Sequence, residues 1–174
     1  IILAVRIVPP PPEGQGRPPL NHNQWLRRSL RELGVFLRTR RTGLAGCPLV
    51  VDAAYVSPDN VTLVHEMGMH MVGRLAANRV VWGRVDEPIK AKVGFFAGLA
   101  AFLHTPPFRE LRGEEDVLFQ RHAVFVPSLK VDVLMVTFIH DRDLLTFFST
   151  KTSMKTVTLR NIIRYRWQLE RIFW

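Results

Sequence analysis

The sequence has few of the residues that would fix it covalently or anchor it in a membrane. Cys47 is its one cysteine in 174 residues, so it can form neither an internal disulfide nor a multi-cysteine metal site. A single free thiol indicates a reducing compartment. The longest strongly apolar run, residues 93–103, is too short to span a bilayer and ends at two prolines. We therefore expect no transmembrane segment.

Acidic residues and lysines are also scarce. The chain has 15 Asp and Glu against 24 Lys and Arg, a net charge of +9, and only 5 of the basic residues are lysine. An excess of this kind indicates an anionic partner, either nucleic acid or an anionic membrane surface. Arginine suits phosphate contacts and buried interfaces because its planar guanidinium binds bidentately. A GC-rich genome would also favour arginine, whatever the function.

Motifs for catalysis are missing too. The sequence contains no glycine-rich phosphate loop and no Gly-x-Ser-x-Gly elbow. His65 and His70 resemble a helical zinc motif, but they are five residues apart instead of four, and we interpret them as partly exposed helix histidines. Residues 140–143 (His-Asp-Arg-Asp) are interpreted as a charged turn, with a metal or acid–base role as the alternative. Residues 114–116 (Glu-Glu-Asp) are interpreted as a solvated loop. We therefore predict a protein without catalytic residues, metal or cofactor.

Hydrophobic residues make up 47% of the chain, enough for the core of a single domain. Alternating helix and strand patterns predict an α/β fold: a single domain with a mixed, partly parallel sheet and helices packed on it. We divide the chain into a strand and Pro-rich arm (1–21), an α/β domain (22–155) and a basic, aromatic C-terminal helix (156–174). The arm is interpreted as a linker or as an extension that binds a neighbouring subunit.

Periodicity and capping residues place the individual elements. Asn23 is the predicted N-cap of the first helix, and Ser57-Pro58-Asp59 gives the clearest helix start. The predicted helices are 23–41, 58–78, 86–103 and 156–174, and the predicted strands are 47–56, 79–85, 123–126 and 130–140. Residues 144–148 extend or return the last strand at an antiparallel edge, and 108–121 form a short helix or a surface loop.

Two arginine stripes are the most suggestive candidate binding surfaces. The stripes are Arg27, Arg31 and Arg38 in the predicted helix 23–41, and Arg160, Arg164 and Arg171 in the predicted helix 156–174. Within each stripe the spacings of four and seven residues are close to one and two turns, so the three arginines share a face. The candidate residues for RNA or another anionic partner are Arg27, Arg31, Arg38, Arg160, Arg164, Arg166 and Arg171, and the candidate interface aromatics are Tyr165, Trp167, Phe173 and Trp174. Such surfaces can bind RNA phosphates and bases, lipid headgroups or protein. A solvated face is the remaining interpretation.

The C-terminal helix also has a broad apolar face, formed by Leu159, Ile162, Ile163, Leu169 and Phe173. We expect this helix to be docked, because leaving large apolar side chains in water forgoes about 1.5–3 kcal/mol each. Arg166 falls within that face, so it needs a carboxylate, carbonyl or phosphate partner or must reach past the rim of the face. This combination favours a contact with another subunit or RNA over a purely internal core.

In composition the chain resembles accessory subunits of mitochondrial assemblies. Without a catalytic motif, we expect a non-catalytic structural subunit, most simply a mitochondrial ribosomal protein that contacts rRNA and neighbouring proteins. The alternative is an accessory subunit of a mitochondrial respiratory or ATP synthase complex, with an anionic membrane surface as a further partner. Both hypotheses place the protein in the mitochondrial matrix or on the matrix side of the inner membrane.

Overall fold

A computed structural model of the chain describes residues 21–39, 43–83, 89–93, 108–111, 114–140 and 143–172. Side chains at 89–91, 114–116, 140, 143 and 167–172 lie outside that description. The predicted arm at 1–20 falls outside the described residues as well. In the described part of the chain, no helix is long and apolar enough to cross a membrane.

The described elements form an α/β fold, as the sequence predicted. The helices are α1 (His22–Thr39), α2 (Pro58–Glu66) and α3 (Thr156–Ile172), with a 3-10 turn at Ala53–Tyr55. The strands are β1 (Pro48–Val51), β2 (His70–Arg74), β3 (Val80–Gly83), β4 (Ile89–Lys92), β5 (Arg109–Leu111), β6 (Glu114–Val126), β7 (Val131–His140) and β8 (Asp143–Ser149).

These eight strands make one mixed sheet in the order β1-β2-β8-β7-β6-β3-β4, with β5 paired to β6. Only β1 and β2 among the described strands run parallel, and the long strands β6, β7 and β8 form an antiparallel meander in the middle. The predicted antiparallel edge is therefore wrong in its position. Only four residues separate β6 from β7 and two separate β7 from β8, and strands with connections this short pair antiparallel.

Helices cover both faces of the sheet. Successive residues of a strand point to opposite faces, and Met71 and Val72 of β2 accordingly belong to different cores. Leu26 and Leu30 of α1 and Val64 of α2 pack in the first core. Leu159 and Ile163 of α3 pack in the second, against β7 and β8. The sheet thus separates α3 from α1 and α2.

The capping residues explain where the helices begin. Ser57 caps α2 as predicted, with its hydroxyl accepting a hydrogen bond from the Asn60 amide at 3.3 Å and Pro58 in the first turn. The predicted cap of α1 was wrong by two residues. Asn21 and Gln24 instead exchange backbone-to-side-chain bonds of 2.8 and 2.9 Å, a capping box. Asn23 accepts a bond from the buried Asn60 side chain at 2.8 Å, which ties α1 to α2.

Three predicted elements were wrong. Helix α2 ends at Glu66 because Gly68 adopts a left-handed conformation, with φ of 72°, and the chain then enters β2. Residues 89–92, predicted as helix, form β4, while most of the rest of that predicted helix lies outside the described residues. In the segment 108–121, predicted as a short helix or loop, residues 109–111 form β5 and residues 114–121 belong to β6. In the second and third cases, pairing with a neighbouring strand determined the structure, which local sequence does not specify.

Candidate active site

Asp52 lies directly after β1, at the end of the strand where polar residues of parallel strands commonly form sites. The 3-10 turn starts at once, with the Tyr55 amide donating to the Asp52 carbonyl at 3.0 Å. The Asp52 side chain makes no capping bond to this turn and is 59% exposed. Because Asp52 is two residues beyond Val50, it is on the sheet face that α3 covers. The carboxylate is therefore presented toward α3.

Arg166 of α3 forms an ion pair with Asp52, donating from Nη2 to Oδ1. The two residues are 114 positions apart in the chain, so this contact depends on the tertiary fold. Leu159 and Ile163 are 0% and 2% exposed, and Arg166 follows them on the same helix face at spacings of four and three. The buried face of α3 thus carries the guanidinium to the end of β1. The predicted need of Arg166 for a partner within this face is confirmed.

Glu170 is one helical turn beyond Arg166 in α3. Residues four apart on a helix share a face, so position 170 continues the row that starts at Leu159. Its side chain lies outside the description. This region therefore combines one exposed carboxylate, its arginine partner and a second acidic position on the adjacent helix.

The two predicted arginine stripes lie on different helices, α1 and α3, which the sheet separates. Arg27 pairs with Asp59 of α2, and Arg31 and Arg38 are exposed on α1, across the sheet from α3. On α3, Arg160 is only 8% exposed, with its guanidinium carbon 5.5 Å from the centroid of the Phe138 ring.

The other α3 candidates are divided between the surface and the undescribed part. Arg164 and Tyr165 are exposed. The side chains of Trp167 and Arg171, together with Phe173 and Trp174, lie outside the description. The expectation that α3 docks is met on the chain's own sheet, so favouring an external contact over an internal core was wrong for Leu159 and Ile163, which are core residues.

The two histidines of the rejected zinc motif sit on different elements. His65 is exposed on α2, whereas His70 is buried on β2, so interpreting both as helix histidines was wrong. Burial lowers the pKa of His70, and the nearby Lys151 and His65 lower it further. Among the described residues, no three His, Cys, Asp or Glu side chains come together as a metal site. His140 and Asp143 are backbone partners at the ends of β7 and β8, and the other two residues of the predicted charged turn, 141 and 142, lie outside the described residues.

The chain belongs to the family described as transposase DDE domain, whose model matches residues 25–173. That match includes all of α2 and α3, every described strand, and both Asp52 and Arg166. No curated protein and no solved structure matches the chain.

Family membership overturns the predicted function. A transposase domain is a catalytic domain that acts on DNA, so the expected non-catalytic subunit of a mitochondrial ribosome or respiratory complex was wrong. The absence of enzymatic activity and the mitochondrial location were wrong for the same reason. The positive charge was interpreted as a sign of nucleic acid or an anionic membrane surface, and RNA was chosen as the nucleic acid, although DNA phosphates attract arginine in the same way.

Sequence reasoning also missed Asp52. It placed this residue inside a strand predicted at 47–56, whereas β1 ends at Val51. A usable signal was present, since an acidic residue follows a short apolar run and directly precedes a turn and a capped helix. A second signal was the spacing of Arg166 and Glu170 on one face of the last helix.

Proposed function

We propose that this chain carries DNA strand-cleaving and strand-joining activity, with a carboxylate site built on Asp52 and Glu170. The observation that carries the proposal is the position of Asp52 at the end of β1, facing α3 and paired with Arg166, inside the matched family region. In one-letter code the family name reads Asp, Asp, Glu. Asp52 fits one of the aspartates. Glu170 fits the glutamate, because α3, which carries it, lies on the sheet face toward which Asp52 is presented.

A divalent cation is the group that such a carboxylate site implies. When bound, it would polarise a phosphodiester and stabilise the charge of the attacking and leaving oxygens. Asp52 fits a ligand role because it offers a hard oxygen donor that is 59% exposed. A complete site needs more oxygen ligands than the described side chains supply. Glu170, on the same face of α3 as Arg166, is the second acidic position that we assign to this site.

The role of the remaining residues follows from charge. DNA cleavage brings phosphates close to acidic residues, which repel them unless cations intervene. Arg166 stands beside Asp52 and offers a guanidinium that can bind phosphate bidentately. The contacts predicted for the α1 arginines with RNA, protein or a membrane surface stay predictions.

Cleavage of supercoiled plasmid DNA in the presence of Mg²⁺ or Mn²⁺ tests this proposal. Asp52→Asn and Glu170→Gln should each reduce nicking by two orders of magnitude or more, while circular dichroism and the melting temperature stay close to those of the wild type. Asp59→Asn and Glu66→Gln are matched controls, because both are exposed carboxylates on α2, across the sheet. Nicking by Asp52→Asn at the rate of these controls would refute the proposed site.

A further inference from the structure

The ion pair between Asp52 and Arg166 is the most informative contact near the proposed site. The Arg166 side chain is 22% exposed and that of Asp52 is 59% exposed. Arg166 is held on one side by the packed helix, while the carboxylate faces solvent on the other. The pair is therefore accessible to a competing cation from the Asp52 side.

Electrostatics makes the guanidinium and a divalent cation competitors. A dication on the Asp52 carboxylate would lie only a few ångströms from the guanidinium, and like charges at that distance repel. An ion pair with an exposed partner is weak, in the range of about 0–1 kcal/mol, so a cation can displace it. A guanidinium released from a carboxylate is suited to a phosphate, because both groups present paired oxygens to its fork.

We propose that Arg166 is a positioning residue that occupies the Asp52 carboxylate until a divalent cation binds, and that it then turns to hold a DNA phosphate. This inference rests on the proposed function. It makes Arg166 a placeholder for the cation at the Asp52 carboxylate. It also couples cation binding to DNA binding, so that each ligand strengthens the binding of the other.

Direct Mn²⁺ titration tests the competition, with free Mn²⁺ followed by electron paramagnetic resonance in the absence of DNA. Arg166→Gln should bind Mn²⁺ about two- to fivefold more tightly than wild type, the range that a weak ion pair corresponds to. Arg166→Lys keeps the charge and should stay near the wild-type affinity. Arg164→Gln is the matched control, because it removes the same charge from the same helix about 200° away. Equal affinity of Arg166→Gln and Arg164→Gln would overturn the proposal.

Asp52→Asn separates this inference from the proposed function. Loss of Mn²⁺ binding in Asp52→Asn together with unchanged binding in Arg166→Gln would leave the carboxylate site standing and refute the placeholder role alone. Wild-type Mn²⁺ binding by Asp52→Asn would instead remove Asp52 as a ligand and refute the proposed site. Melting temperatures measured without metal check that each variant is folded.

Anisotropy of a labelled DNA duplex tests the second half of the proposal. For the wild type and Arg164→Gln, Ca²⁺ should tighten DNA binding relative to EDTA by a clear factor. For Arg166→Gln that factor should be at least threefold smaller, because the released guanidinium is missing. The same Ca²⁺ factor in both variants would show that Arg166 does not move to the DNA, and would overturn this half of the proposal.

Discussion

Gly73 of β2 connects the packing of the sheet to the candidate active site. A Cβ at this position would lie 2.7 Å from the Val51 carbonyl oxygen, 3.1 Å from Val51 Cγ2 and 3.3 Å from Phe148 Cε1. The closest of these atoms belongs to the backbone of the residue before Asp52, so it cannot rotate away. Gly73→Ala must therefore push β1 away from β2 at the point where the carboxylate is held.

The cost of Gly73→Ala should be that of overpacking a buried site, about 1–3 kcal/mol. For a chain of this size each kcal/mol lowers the melting temperature by about 2–4 °C. Differential scanning calorimetry would measure the shift, and the plasmid nicking assay should show a loss of activity in the fraction that remains folded. The activity loss follows because displacement of Val51 also displaces Asp52.

Gly34→Ala is the matched control for this prediction. In α1 the added Cβ would meet only the Met67 Cε atom, at 3.4 Å, and that atom ends a flexible side chain. Replacing a glycine inside a helix by alanine stabilises by roughly 0.5–1 kcal/mol, so the control should melt at or above the wild-type temperature. The packing argument would be refuted if Gly73→Ala had the same melting temperature as Gly34→Ala and nicked DNA at the wild-type rate.

Three further predictions concern stability. Leu159→Ala should cost about 2–5 kcal/mol in the free energy of unfolding, because this residue is 0% exposed in the second core. Val157→Ala, on the exposed side of the same helix, should stay within about 0.5 kcal/mol in chemical denaturation. Asn60→Ala should cost roughly 1–3 kcal/mol, since the buried amide donates to the Tyr55 carbonyl at 2.7 Å, and equal stability in a urea titration would contradict this. Burial lowers the pKa of His70, so the unfolded chain binds more protons than the folded one below its ordinary pKa of about 6.5. Stability should therefore decrease as the pH falls from 7.5 to 5.5, and His70→Phe should flatten that decrease in melting temperature.

The sequence predicted where helices begin better than where they end. Both well-predicted termini, the start of α2 at Ser57 and that of α3 at Thr156, depend on local capping and periodicity. The strands at 70–74 and 89–92 both fall inside segments predicted as helix, 58–78 and 86–103. Their apolar residues also fit a helical period, so the pattern did not distinguish strand from helix. Their strand character comes from partners far along the chain, such as the pairing of Val72 with Ser149. Local sequence does not contain that information.

The candidate site was predictable only where it depends on local sequence. Arg166 could be singled out because a charge on an apolar helix face needs a partner wherever the helix docks. Asp52 could not be assigned as that partner, since the contact joins residues 114 positions apart through the placement of α3 on the sheet. The basic stripes stay a prediction, because a helical wheel does not distinguish an arginine that binds a partner from one that stabilises the protein. Arg27 and Arg160 have partners within the fold.

Replacing both members of the Asp52–Arg166 ion pair tests whether this pair serves stability or activity. If the ion pair with Asp52 served mainly stability, replacing both residues by apolar ones would lower the melting temperature. If it serves DNA chemistry, the same replacement would keep the fold and abolish activity. A double variant, Asp52→Leu with Arg166→Leu, should therefore melt within about 3 °C of wild type, a shift of roughly 1 kcal/mol or less, and show no plasmid nicking. A large drop in melting temperature would indicate that the pair is structural, and the proposed role of Arg166 would lose its main support.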